Sequence, residues 1–154
     1  MAEPPSAALR RLGLELPPPP APKGSYAPAV QVGEQVFVSG QGGQRDGRTL
    51  HPGAVDAVVS VAQAQEAARL ATLQGLSAAG ALLGSVDRIR RVAKVTVFVA
   101  SSPGFIRQHE VGNGATDLLQ AIFGEAGRPA RASVGVPSLP LDFPVEVELL
   151  LIAG

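Results

Sequence analysis

The stretch "RPARASVGVPSLPLDFPVEVELLL", residues 128–151, is among the most apolar of the chain, yet Arg131 sits within its first β-rich run and Glu146 and Glu148 within its second. The planar guanidinium of Arg131 could hold a carboxylate bidentately, fixing its orientation as well as its charge. Glu146 or Glu148 could position a water molecule or shuttle a proton. An arginine and a carboxylate in a partly dry cleft suit a substrate of the amino-acid or keto-acid kind. The same residues also allow a plainer role. A desolvated arginine without a partner costs several kcal/mol, and a glutamate beside it would remove that cost. Spacing does not choose between an ion pair that stabilises an interface and an Arg131 that waits for a ligand.

The elements carrying these groups read as two strands joined by a proline-punctuated turn. Alternate side chains of a strand face opposite ways. Ala130, Ala132, Val134 and Val136 therefore fall on one face, and Arg131, Ser133 and Gly135 on the other. In the second strand Val145, Val147, Leu149 and Leu151 form an apolar face, while Glu146 and Glu148 share theirs with Leu150 and Ile152. This parity puts Arg131 and Glu146 together on the side of the sheet away from the helices. A face open to water should be polar along its whole length. Leu150 and Ile152 break that rule, and so predict that another subunit covers it.

Upstream, "APAVQVGEQVFVSGQ" has Gly33–Glu34 between two β-rich runs, a hairpin signal, and residues 40–53 have the turn chemistry of a loop. Residues 54–83 are rich in alanine and leucine with helical spacing, and predict the main helix. Residues 88–101 alternate as a strand. A second helix is expected over 115–123, ended by Gly124, with Asn113 or Thr116 as a candidate cap for its start. Residues 6–16 could form a short helix, ended by four prolines, Pro17 to Pro20, that favour an extended lead-in on the surface. The order β-β-α-β-α-β-β makes an α+β domain with helices on one face of a mixed sheet. The expected division is an N-terminal extension over 1–22 and one domain over 23–154.

Composition narrows the partners. Thirteen basic and thirteen acidic residues cancel, so no global field draws the chain to nucleic acid or to membranes. No apolar run approaches the roughly 20 residues of a membrane helix, and residues 1–20 lack the apolar core of a secretory signal. The absence of cysteine excludes disulfides and fits a cytoplasmic protein. His51 and His109 are isolated, with no metal-ligand spacing. "SGQGGQRDG" lacks the lysine and helix entry of a phosphate-cradling loop and reads as a turn. Arg88, Arg90, Arg91 and Lys94 have no interleaved aromatics for base stacking and read as a solvated strand edge.

Three segments, in order and together spanning about residues 23–154, resemble the RidA/YjgF family. "RPARASVGVPSLPLDFPVEVE" is similar to its terminal signature, "GSYAPAVQVGEQVFVSGQ" to its opening, and "VDRIRRVAKVTVFVASSPGF" to its middle. The chain looks like a divergent branch with a longer N-terminus. The resemblance implies a chorismate-mutase-like α+β fold, two main helices on one face, and a homotrimer with inter-subunit clefts. It implies hydrolytic deamination of enamine/imine intermediates such as 2-aminoacrylate to a 2-keto acid and ammonia, with no cofactor. Carried over by motif, Arg131 would bind the carboxylate of a small metabolite and Glu146 would position the attacking water. Tyr26 would line the cleft from the neighbouring subunit, and Ser39 and Gly40 would shape its wall. Asn113 stands nearest to the family's helix asparagine, and Ser133 stands where many members have cysteine. A non-catalytic carboxylate binder using the same cleft is the alternative. Endoribonuclease activity, ascribed to some relatives, is disfavoured by the neutral charge and sparse aromatics.

Overall fold

Two runs of apolar alternation, residues 89–100 and 145–153, become neighbouring interior strands in the computed structural model, which describes residues 2–154. The elements are α1 (Pro5–Arg11), β1 (Ala29–Val32), β2 (Gln35–Gly42), β3 (Gln44–Arg45), β4 (Arg48–Thr49), α2 (Val61–Leu83), β5 (Ile89–Ala100), α3 (Gln108–Phe123), β6 (Ala130–Val136) and β7 (Val145–Ala153). Five strands form one sheet in the order β1-β2-β7-β5-β6, and β3 and β4 pair separately. Within the large sheet β5 and β6 run parallel, and the other neighbours are antiparallel. The mixed α+β architecture agrees with the sequence.

The inner face of the sheet carries Val36, Val38, Val95, Val97, Val99, Val147, Leu149 and Leu151, all buried. Against it lie α2 and α3, whose Ala64, Ala68, Ala71, Leu76, Leu118 and Leu119 complete the core. Alanine on the buried side of α2 lets the helix approach closely. At Gly75 an added Cβ would come 2.9 Å from Leu149 Cδ1.

Several boundaries differ from expectation. The main helix begins at Val61, not at residue 54. Residues 54–60 form a tight loop in which Val55 bridges to Val59 and Ser101 and Asp56 takes φ 71°. Ser60 ends this loop with a capping box: Gln63 N–H donates to Ser60 Oγ (3.1 Å), and Ser60 N–H donates to Gln63 Oε1 (3.0 Å). Both orphan donors are satisfied reciprocally. Ser60→Ala should lower stability by about 1 kcal/mol in chemical denaturation.

The second helix begins seven residues early, at Gln108. Gly112 and Gly114 therefore lie inside it, and neither Asn113 nor Thr116 is a cap. The glycines serve close packing: a Cβ at Gly114 would collide with the backbone of Gln65 on α2, and one at Gly112 with Ser133 Oγ on β6. Residues 40–53 are not wholly loop, since β2 runs on to Gly42 and β3 and β4 form a small hairpin. β5 is an interior strand rather than an edge, but its first residues run past β6, whose pairing starts at Lys94↔Ala130, so Arg90 and Arg91 are solvated.

The N-terminal segment packs onto the rest. Ser6 donates to Asp87 through N–H (2.8 Å) and Oγ (2.7 Å), Ala8 and Leu9 are buried, and Ser77 Oγ on α2 donates to the Pro17 carbonyl at 2.5 Å. Among the described residues no helix is long and apolar enough to cross a membrane.

Candidate functional site

Glu146 owes its setting to a break in strand alternation. Val38 pairs with Leu149 and Gln41 with Val147, so β2 gains a residue between these pairs and bulges over Ser39 and Gly40. The bulge presses backbone against Glu146: an added Cβ at Gly40 would sit 2.5 Å from Glu146 Oε1. Only glycine leaves the carboxylate its place. Glu146 lines a cleft of about 470 Å³ with Pro20, Pro22, Lys23, Tyr26, Gly40, Gln41, Gln74 and Phe143. Tyr26 is steadied from the lead-in, where Lys23 N–H donates to its hydroxyl (3.2 Å).

Burial of the Glu146 carboxyl raises its pKa above the ordinary carboxylate value, and the nearby charge of Glu148 adds to the rise. No hydrogen-bond donor or cation among the described residues offsets this. A raised folded-state pKa means the native state binds more protons than the unfolded chain in the window between the two values. The associated stability is fully present below the unfolded carboxylate pKa and is lost as pH rises through the folded one. Glu146→Gln should therefore raise the melting temperature near pH 7, with the gain vanishing below about pH 4. A scan of melting temperature against pH for both proteins checks this.

Arg131 occupies a second locus. Its Nη1 donates to Asn113 Oδ1 (2.8 Å) and Thr116 Oγ1 (3.1 Å), and its Nη2 donates to the His109 carbonyl (3.2 Å). All three partners belong to α3. Gly112 gives the guanidinium room, since an added Cβ would lie 3.2 Å from Nη1. Ser133 Oγ is buried beside the same glycine without a hydrogen-bond partner. Among the described residues no carboxylate pairs with Arg131.

The expectation that Arg131 and Glu146 share one face of the sheet is overturned. Parallel pairing sets Arg131 opposite Val95 and Ser133 opposite Val97, both on the inner face. Glu146 pairs with Phe98 and Gly42 on the outer face. Within one chain an Arg131–Glu146 ion pair is excluded. Ala132 and Val134, expected to face the core, turn outward instead. The site residues thus fall into two groups: Tyr26 and Gly40 with Glu146, and Asn113 and Ser133 with Arg131. Ser39 joins neither. Its Oγ donates to the Ala27 carbonyl (2.7 Å) and it borders an outer-face depression with Val30, Phe37 and Glu148. His51 pairs with Glu66 at 2.8 Å, away from both groups.

Sequence reasoning missed Gln41 and Gln74. Each is only 9% exposed, and the available signal was a polar residue within the apolar run "LATLQGLSAAG" of α2.

The fold defines a chorismate-mutase-like α+β protein. The chain belongs to the YjgF family: the model described as "YjgF/chorismate mutase-like, putative endoribonuclease" matches residues 6–152. Protein TCP17 of Trypanosoma cruzi is 45% identical over 147 residues, covering 95% of this chain and 92% of that protein. The crystal structure of Atu1372 from Agrobacterium tumefaciens, of unknown function, superposes with a TM-score of 0.89 at 40% identity, covering 96% of this chain and 91% of its own. That of a "putative endoribonuclease" from Shewanella oneidensis gives 0.93 at 33% identity, covering 97% and 99%.

Proposed function

We propose that the protein hydrolyses small enamine or imine intermediates bearing a carboxylate to 2-keto acids and ammonia. The observation that carries this reading is the complementary need of the two groups. Among the described residues Arg131 is a guanidinium held by α3 with no carboxylate partner, and Glu146 is a half-buried carboxyl with no cation partner, facing a cleft. A substrate carboxylate on Arg131 and water on Glu146 would satisfy both.

The chemistry needs nothing beyond water. A proton moves from nitrogen to C3 of the enamine, giving the imine. Water adds across the C=N bond, its proton passing by way of Glu146 to nitrogen. The hydroxyl proton then passes to nitrogen as the C–N bond breaks, releasing ammonia and leaving the carbonyl. A carboxyl with a raised pKa suits this shuttle, because it exchanges protons closer to neutral pH.

The two groups lie on opposite faces of one chain, so the proposed site is completed between copies, Arg131 of one facing Glu146 of the next. Support comes from the outer face, where Val30, Val32 and Phe37 are exposed beside Leu150 and Ile152. Arg131 also lies on the edge strand β6. A homotrimer closes such a head-to-tail contact.

RNA cleavage, suggested by the names of some relatives, finds less support, since among the described residues Lys23 is the single basic one lining the Glu146 cleft. The test follows 2-keto acid and ammonia release from enzymatically generated 2-aminoacrylate and 2-iminobutyrate. The protein is expected to accelerate both over spontaneous hydrolysis, and rates at the background level would refute the assignment.

A further inference from the structure

The Glu146 cleft is larger than a three-carbon substrate needs, and its far wall is not featureless. Pro20, Pro22, Leu141 and Phe143 give apolar sides. Among them are two nine-tenths-buried amides, Gln41 and Gln74. Their orientations are set by the backbone. Gln44 N–H donates to Gln74 Oε1 (3.1 Å), which leaves the Gln74 amide NH2 as the group it can offer to a ligand. Gln41 Nε2 donates to the Ser39 carbonyl (3.1 Å), which leaves Gln41 Oε1 as an acceptor. One buried donor and one buried acceptor, both uncharged, line the same cleft. The nearest cation, Lys23, is exposed at its rim.

We infer that this cleft selects substrates whose side chain ends in an uncharged donor–acceptor group, a carboxamide above all, read by Gln74 NH2 and Gln41 Oε1. The inference rests on the Glu146 cleft being the reaction site. A carboxamide presents a carbonyl to Gln74 and an N–H to Gln41. A carboxylate would face the Gln41 oxygen while desolvated, and an alkyl side chain would leave both amides without partners. Sites that hydrogen-bond a polar terminus reject the analogue lacking it more strongly than apolar pockets reject an added group.

Calorimetric titration of the full chain with 2-oxobutyrate, L-glutamine, L-glutamate and L-norleucine tests this. L-Glutamine should bind about tenfold more tightly than L-norleucine, whose alkyl side chain makes no hydrogen bond, the discrimination expected for a lost buried hydrogen bond. L-Glutamate should bind no better than L-norleucine. Gln74→Glu keeps an acceptor for Gln44 N–H, so the local fold is preserved while the NH2 donor is lost. It should abolish the preference for L-glutamine. Equal affinities for L-glutamine and L-norleucine, or an undiminished preference in Gln74→Glu, would overturn the inference alone. Failure of 2-oxobutyrate to bind the unmodified protein would overturn the reading of the site, and the inference with it.

Discussion

Arg131→Ala is expected to lower 2-keto acid release from 2-aminoacrylate by about ten- to a hundredfold, because hydrogen bonds to a charged group are worth about 1.5–3 kcal/mol and each 1.36 kcal/mol is tenfold in rate. The folded chain should tolerate the change. Among the described residues Arg131 makes no ion pair, and of its three partners on α3 His109 is exposed and Asn113 half-buried, while the buried Thr116 hydroxyl keeps its own bond to the Gly112 carbonyl. Arg131→Lys should recover only part of the rate, since an ammonium keeps the charge and loses the planar fork. A sharper outcome follows from the opposite-face geometry. Arg131→Ala and Glu146→Ala proteins, each impaired alone, should regain roughly a quarter of wild-type activity when unfolded and refolded together, the fraction of intact sites in randomly mixed head-to-tail rings. Wild-type rates in Arg131→Ala would remove this residue from the mechanism, and absent complementation would argue against a site shared between copies.

Gly114→Ala should lower stability strongly for so small a change. The added methyl would meet the backbone of Gln65, and α2 and α3 would have to separate to admit it. Overpacking costs typically up to ~3 kcal/mol, which for a chain of this size lowers the melting temperature by ~6–12 °C. Gly112 differs in kind. Its methyl would meet side-chain atoms of Ser133 and Arg131, so the strain there falls on the proposed carboxylate anchor rather than on the helix pair. Thermal denaturation of Gly114→Ala checks the first effect, and an unchanged midpoint would refute the packing account.

The contrast between these glycines explains what could be read from the chain. β5 and β7 were legible because alternation of branched aliphatics survives burial. So were the chemical types at Arg131 and Glu146. The face of Arg131 was not legible. β6 has small residues on both sides, and its facing is decided by the parallel register with β5, a contact between segments some 35 residues apart in sequence. The bulge at Ser39–Gly40 was hidden for the same reason, since an extra residue in one strand shows only against its partner. The start of α2 was misplaced because residues 54–59 have helical composition, although Ser60 and Gln63 carried the capping signal that should have outweighed it. Gly112 and Gly114 look like helix breakers until a neighbouring backbone is seen pressed against them.

The proline lead-in has a consequence for the timing and thermodynamics of ligand entry. Its Pro17 carbonyl is tied to Ser77, and Lys23 is tied to Tyr26. Between these two anchors, most residues have their backbone rotation restricted by the pyrrolidine ring before any ligand arrives. A wall built this way surrenders little conformational entropy when the cleft is filled. Association should then be a single bimolecular step, its observed rate rising linearly with ligand concentration and reaching no plateau from a closing motion.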